Sequence, residues 1–149
     1  MKPKNIRGFC CVGLDHPKHS VNVGGVLRAA TVFDCDMVAV SGMRYKPMAS
    51  DTTKYYRHKP FLQVDDLHDV IPRDCVPVAV EIGVDGAYSL PKYYHPERAF
   101  YIFGAEDATL GQRILSWCRD TIYIPSKQCL NLAACVNVVL YDRMSKALK

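Results

Sequence analysis

The sequence predicts an α/β domain, a mostly parallel sheet flanked by helices. Three observations carry that expectation: short apolar runs recur along the chain, segments of helical period lie between them, and Gly- or Asn-bearing turns follow strand-like runs. Ile6 to Leu14, Met37 to Ser41, Phe61 to Val64, Val76 to Glu81, Arg98 to Phe103 and Thr121 to Ile124 read as strands. They are rich in Val, Ile and Phe and bounded by Asp, Pro or Gly. Their alternation with helices implies helical cover on both sheet faces.

In the first helix Val23, Val26, Leu27, Ala30 and Phe33 form one apolar stripe beginning just after Asn22, a residue that can cap a helix. A short helix is expected after Asp65, and another within Leu110 to Cys118. From Leu130 to Tyr141 the last helix, LNLAACVNVVLY, is apolar on nearly every face. Burying one stripe against the sheet would leave Val or Leu in water, so a second subunit is the expected cover. A helix central to its own domain is the alternative.

At 149 residues, with 49% hydrophobic and 23% charged content, the composition fits one globular domain, 1–149, and excludes disordered and low-complexity classes. No apolar run approaches the roughly 18 residues of a membrane helix, and the basic start lacks a small-residue cleavage site. Cytoplasmic residence is expected, with no membrane partner. The seven cysteines contain no C-x-x-C pair and are expected as reduced, mostly buried thiols. His16 and His19 have no nearby Cys or carboxylate set to complete a tetrahedral site, so no metal is expected.

Charge is uneven. Residues 1–59 hold ten Lys/Arg against four Asp/Glu, net +6, whereas residues 60–149 hold nine against eleven, net −2. The basic half contains Lys54-Tyr55-Tyr56-Arg57-His58-Lys59, in which cations that pair with phosphates alternate with rings that stack on bases. Lys54, Tyr55, Arg57 and Lys59 are candidate RNA contacts; a solvated face with Tyr stems packed on the core is the alternative.

Three segments combine Gly or Asn near a helix start with one or two charged residues: Asn22 to Arg28, Phe103 to Gly111, and Ile124 to Asn131. Ligands bind beyond the carboxyl ends of strands in open α/β sheets, and two of these segments follow strands directly. Neither G-x-G-x-x-G nor a P-loop occurs, and no G-x-S-x-G elbow, which removes support for dinucleotide, nucleoside triphosphate and serine hydrolase chemistry.

Taken in order, Asp15 to Ala30, the Phe-Gly-Ala-Glu segment, and Ile-Pro with Leu-Asn resemble the three signature motifs of the SpoU/TrmH family. These are AdoMet-dependent RNA ribose 2′-O-methyltransferases of the SPOUT superfamily. The resemblance spans nearly the whole chain. It implies an α/β domain whose C-terminal segment is threaded into a deep trefoil knot, which generic topology rules would reject. It also implies a homodimer, S-adenosyl-L-methionine as cofactor, S-adenosyl-L-homocysteine as product, and structured RNA as substrate. Transfer RNA is preferred over ribosomal RNA because the chain resembles the minimal single-domain members; DNA is not expected.

By the same resemblance Arg28, Asn22, Glu106 and Asn131 are the catalytic candidates, and Val80, Gly104, Ile124, Cys129 and Leu130 the cofactor-binding ones. Guanidinium is effectively never deprotonated, so Arg28 is expected to clamp phosphate and developing alkoxide rather than act as a base. This sequence departs from the family pattern at Cys129, where Ser is usual, at Asp107, where Gly often stands, and in a stretch before Leu-Asn about three residues short. A noncatalytic RNA- or AdoMet-binding relative is the competing reading.

Overall fold

A computed structural model describes residues 8–42 and 54–148. Seven strands run β1 (Phe9–Asp15), β2 (Met37–Ser41), β3 (Phe61–Val64), β4 (Val76–Val80), β5 (Tyr88–Ser89), β6 (Arg98–Phe103) and β7 (Asp120–Tyr123). The helices are α1 (Ser20–Val32), α2 (Gln112–Leu115) and α3 (Leu132–Ala147), with short 3₁₀ turns at Tyr55–Arg57, Leu67–Val70 and Leu90–Lys92. The strands form one sheet in the order β3-β2-β1-β6-β4-β7-β5, and every pairing is parallel.

Parallel strands covered on both faces need apolar residues at every position, with the two-residue period dividing them between cores. In β6, Ala99, Tyr101 and Phe103 face the core beneath α1 and α3, while Phe100 and Ile102 face the one closed by Leu67, Leu110 and Ile114. Gly13 of β1 is matched to that second layer: a Cβ there would stand 2.9 Å from the Phe100 ring. Helices α1 and α3 cross closely at Gly25, where a Cβ would lie 2.8 Å from that of Ala133. This contact draws the start of α3 toward the start of α1.

Several expected boundaries move. Ile6 lies outside the described residues, β1 runs on to Asp15, and β4 stops before Glu81, which turns its carboxylate to backbone amides. The two-residue β5 carries too little apolar signal to be read as a strand. Asn22 does not cap α1. The helix begins two residues earlier with His19 at the N-cap, and the Asn22 side chain reaches across to Glu106 instead. The last helix starts at Leu132, capped by Asn131, and continues through the polar run Asp142 to Ala147.

That extension has a physical cause. The Arg143 guanidinium, 9% exposed, donates to the carbonyls of Pro96 (2.6 Å) and Glu97 (2.7 Å) and to the Tyr101 hydroxyl (3.1 Å). His95 bridges Tyr101 and Asp142 at 2.6 and 2.7 Å, and Lys146 joins Asp142 at 2.7 Å while donating to the Leu90 and Tyr93 carbonyls. Neutral His95, with Nε2–H donating to Asp142 and Nδ1 accepting from Tyr101, satisfies these partners in sequence. Burial holds its pKa below the ordinary histidine value, outweighing the Asp142 carboxylate. The polar half of α3 is therefore latched onto the loop before β6.

Candidate functional site

Because all strands are parallel, the loops leaving β4, β6 and β7 open on one edge of the sheet, together with the first turn of α1. They enclose a cavity of about 990 Å³. Its walls include Asn22, Val80, Gly104, Glu106, Ile124, Cys129, Leu130 and Asn131, so the three separated motif segments meet in space. Glu81, Ser126 and Cys135, which sequence patterning does not mark as site residues, also line it, as does His19, considered above only as a metal ligand. Glu81 was the most accessible of these to sequence reasoning, as a carboxylate at the end of an apolar strand.

Two carboxylates shape the walls. Glu106 accepts 2.8 Å hydrogen bonds from the Lys18 backbone N–H and from Asn22 Nδ2, tying the loop after β6 to the start of α1. Burial would raise its pKa, but these bonds and further backbone bonds hold it below the usual carboxylate range. Glu81 accepts from the N–H groups of Ile82 and Leu110, each at 2.8 Å, and so holds both ends of the same opening. Gly104 lets the loop fold tightly: a Cβ there would stand 3.1 Å from the Ala108 carbonyl oxygen. Asn131 caps α3, its Oδ1 accepting from Ala134 N–H at 2.8 Å. The Nδ2 group is the part of that side chain available to a ligand.

The chemistry of the lining is one-sided. Glu81, Glu106 and Asp107 contribute carboxylates, no Lys or Arg among the described residues contributes, and Val80, Phe103, Ile124, Leu130 and Leu132 supply apolar surface. Such a lining suits a cationic ligand with an apolar body better than a phosphate. Cations stand outside it: Lys18 lies 3.9 Å from Asp107, and Arg113 donates at 3.0 Å to Asp15, whose carboxyl is held low by His16 and Arg113 against its burial.

Arg28 does not line the cavity. Six residues beyond Asn22, it sits about 9 Å farther along α1 and is exposed. Among the expected RNA contacts, Tyr55 needs correction. Tyr55 is 2% exposed, its hydroxyl donating to the Cys35 carbonyl at 2.8 Å, so its ring offers no face to a base; Tyr56 is the exposed ring. Lys59 is paired with Asp34 (3.1 Å) and Asp36 (3.6 Å). Lys54 and Arg57 are exposed, but their segment packs beside residues 34–36 and leads into β3. It therefore lies at the amino ends of β2 and β3, one strand length from the cavity.

The comparisons agree with this architecture. The structure of the SpoU methyltransferase AviRb from Streptomyces viridochromogenes, solved in complex with AdoMet, aligns with a TM-score of 0.80 at 20% identity, covering 94% of this chain and 61% of that one. This chain therefore spans about three fifths of that relative's length. The A. aeolicus TrmH/SpoU tRNA modifying enzyme aligns at 0.78 and 17% identity, covering 95% and 79%. A structure described as giving insight into the 2-OH methylation of C/U34 on tRNA aligns at 0.78 and 21% identity, covering 93% and 96%. At these identities the likeness carries the fold. No curated protein matches the sequence. The sequence itself, over residues 10–141 and thus across all three segments that wall the cavity, matches the SpoU rRNA Methylase family, and the chain belongs to that family.

Proposed function

We propose that this protein transfers a methyl group from AdoMet to a ribose 2′-hydroxyl of transfer RNA, acting as a cytoplasmic homodimer. The observation that carries the reading is the cavity's composition: three carboxylates and an apolar wall, with no Lys or Arg among the described residues, at the carboxyl edge of the sheet. That set fits a sulfonium cofactor and gives no support to a phosphorylated one. Val80, Gly104, Ile124, Cys129 and Leu130 would hold AdoMet, which when bound supplies an electrophilic methyl on a good leaving group.

The protein's own task is alignment, exclusion of water and stabilisation of charge. Glu106, committed to Lys18 N–H and Asn22, positions the α1 start against the loop after β6. Asn131 sets the start of α3 and presents its Nδ2 to the cavity. Arg28, always protonated, clamps the RNA phosphate and the developing alkoxide rather than taking the proton. Its exposed position on α1 supports a role completed by a second copy. Support for that dimer is the exposed apolar set Val21 and Val32 on α1 with Val138 and Tyr141 on α3. A trefoil knot at the C-terminal end accompanies this reading, supported by family membership and by the placement of β7 between β4 and β5. Transfer RNA is preferred because a relative of nearly equal extent is described with tRNA methylation.

Calorimetry with AdoMet, on the wild type and on Gly104→Trp, tests the pocket, and methyl incorporation into tRNA tests the reaction. A ribose 2′-O-methyl group blocks alkaline cleavage of the adjoining phosphodiester, so one missing band in a hydrolysis ladder identifies the position. Micromolar binding lost in the variant, with that missing band, is the expected result. Binding without transfer to tRNA would overturn the tRNA reading and favour the noncatalytic one.

A further inference from the structure

Cys129 is the exposed cysteine of the seven, and it lies on the cavity wall where the family pattern has Ser. Cys10, Cys11, Cys35 and Cys75 are buried in the two cores, and burial pushes the half-buried Cys118 thiol up to about 12. Cys135 is different, for it lines the same cavity as Cys129. The two thiols flank the Asn131 cap: Cys129 stands two residues before it, and Cys135 is the fourth residue of α3, with its Sγ 3.8 Å from the Leu130 carbonyl oxygen. In a capped helix the residue just before the cap, here Leu130, packs against the fourth helical position, here Cys135, and Cys129 is the chain neighbour of Leu130. Consistently, Cys135 is pushed up by its burial and then by the neighbouring Cys129.

We infer that Cys129 and Cys135 form an oxidant-responsive thiol pair whose disulfide closes the cavity. The inference rests on the AdoMet reading above and adds a regulation to that site. An exposed thiol next to a second, resolving thiol is the arrangement that reversible cysteine oxidation requires. With a hydroperoxide as oxidant, the Cys129 sulfur attacks one peroxide oxygen. The O–O bond breaks and water leaves, carrying the Cys129 proton and giving a sulfenic acid when the oxidant is hydrogen peroxide. The Cys135 sulfur then attacks the sulfenyl sulfur; the S–O bond breaks, the disulfide forms and a second water leaves with the Cys135 proton. Two electrons pass from the thiols to the peroxide.

Closing this bond requires the Cα atoms to come within about 7 Å. It pulls the segment before Asn131 toward the first turn of α3, across the wall that both thiols share. An exposed disulfide of this kind is also readily reduced, as a reversible switch must be.

The test uses the full chain treated with hydrogen peroxide, then alkylated and cleaved with trypsin. The fragment from Gln128 to Arg143 contains both cysteines and no others. A mass 2 Da below the reduced fragment, with no alkylation at either residue and reversal by dithiothreitol, is expected. Calorimetry on the same samples is expected to show AdoMet affinity at least 10-fold lower after oxidation and recovered on reduction. In Cys129→Ser and Cys135→Ser, whatever their starting affinities, the oxidised-to-reduced ratio should be one. Independent alkylation of both cysteines after peroxide, or equal sensitivity in the two variants, would overturn the thiol pair. A reduced wild type that forms the disulfide but binds no AdoMet would instead overturn the cofactor assignment.

Discussion

The two ends of α3 are built on opposite principles. At its C-terminal half the polar groups of Asp142, Arg143 and Lys146 are consumed by the protein, meeting His95, Tyr101 and four backbone carbonyls of the loop before β6. At its start, Asn131 and Cys129 face a cavity, and the polar bonds there run within loops that wall it. Fully satisfied buried polar networks rigidify, whereas partly used polar groups at a strand edge remain available to a ligand. The helix is thus anchored at one end so that the other can be a site.

The largest effect is expected at the anchor. Arg143→Ala leaves three acceptors without their buried donor and should lower stability by about 3 kcal/mol or more, read by urea unfolding. AdoMet affinity of the folded fraction should stay within about twofold, since the cavity lies at the other end of α3; a parallel loss of affinity would show that the two ends are not independent. Acid should loosen the same anchor. His95 has a folded pKa below its ordinary 6.5, so its contribution is fully present above that value and is lost as pH falls through the folded pKa. The slope is at most about 1.4 kcal/mol per pH unit, and His95→Gln should flatten it.

At the cavity end effects on binding should exceed effects on stability. Glu106→Gln replaces a carboxylate oxygen by an amide that cannot accept from both Lys18 N–H and Asn22. AdoMet affinity is expected to fall about 10-fold, with a stability loss of about 1 kcal/mol. Protonation mimics this: with its pKa held low, the Glu106 contribution is complete above the ordinary carboxylate value and disappears as pH falls through the folded one. Asn131→Ala should remove about 1 kcal/mol of capping, and Asn131→Asp should restore that stability while changing the cavity's charge.

The smallest effect is expected where sequence reading placed the RNA contacts. Lys54→Glu with Arg57→Glu should alter stability by less than about 0.5 kcal/mol and tRNA affinity less than about threefold in filter binding. One strand length exceeds the Debye length of about 8 Å at physiological salt. A larger loss with a flatter salt dependence would return this segment to the interface.

These contrasts mark how far the sequence is legible. The strands were readable because burial on both faces demands unbroken apolar runs, and Met37 to Ser41, Phe61 to Val64 and Arg98 to Phe103 agree residue for residue with β2, β3 and β6. The polar end of α3 was not readable: Asp142 and Arg143 look like a solvent-facing tail until the loop that receives them is in place. Asn22 and Asn131 carry the same capping chemistry, yet only Asn131 caps, because Glu106 draws Asn22 across the cavity.

By itself the sequence determined the class of fold, six of the seven strands and the three segments that carry the family's motifs. Each is local, expressed in periodicity or in residue order. Tertiary structure alone decided that those segments share one anionic cavity, that Tyr55 is buried, and that Lys54 and Arg57 lie at the opposite edge. Such facts depend on which strands become neighbours and on which edge of a parallel sheet each loop emerges, and no local pattern encodes that.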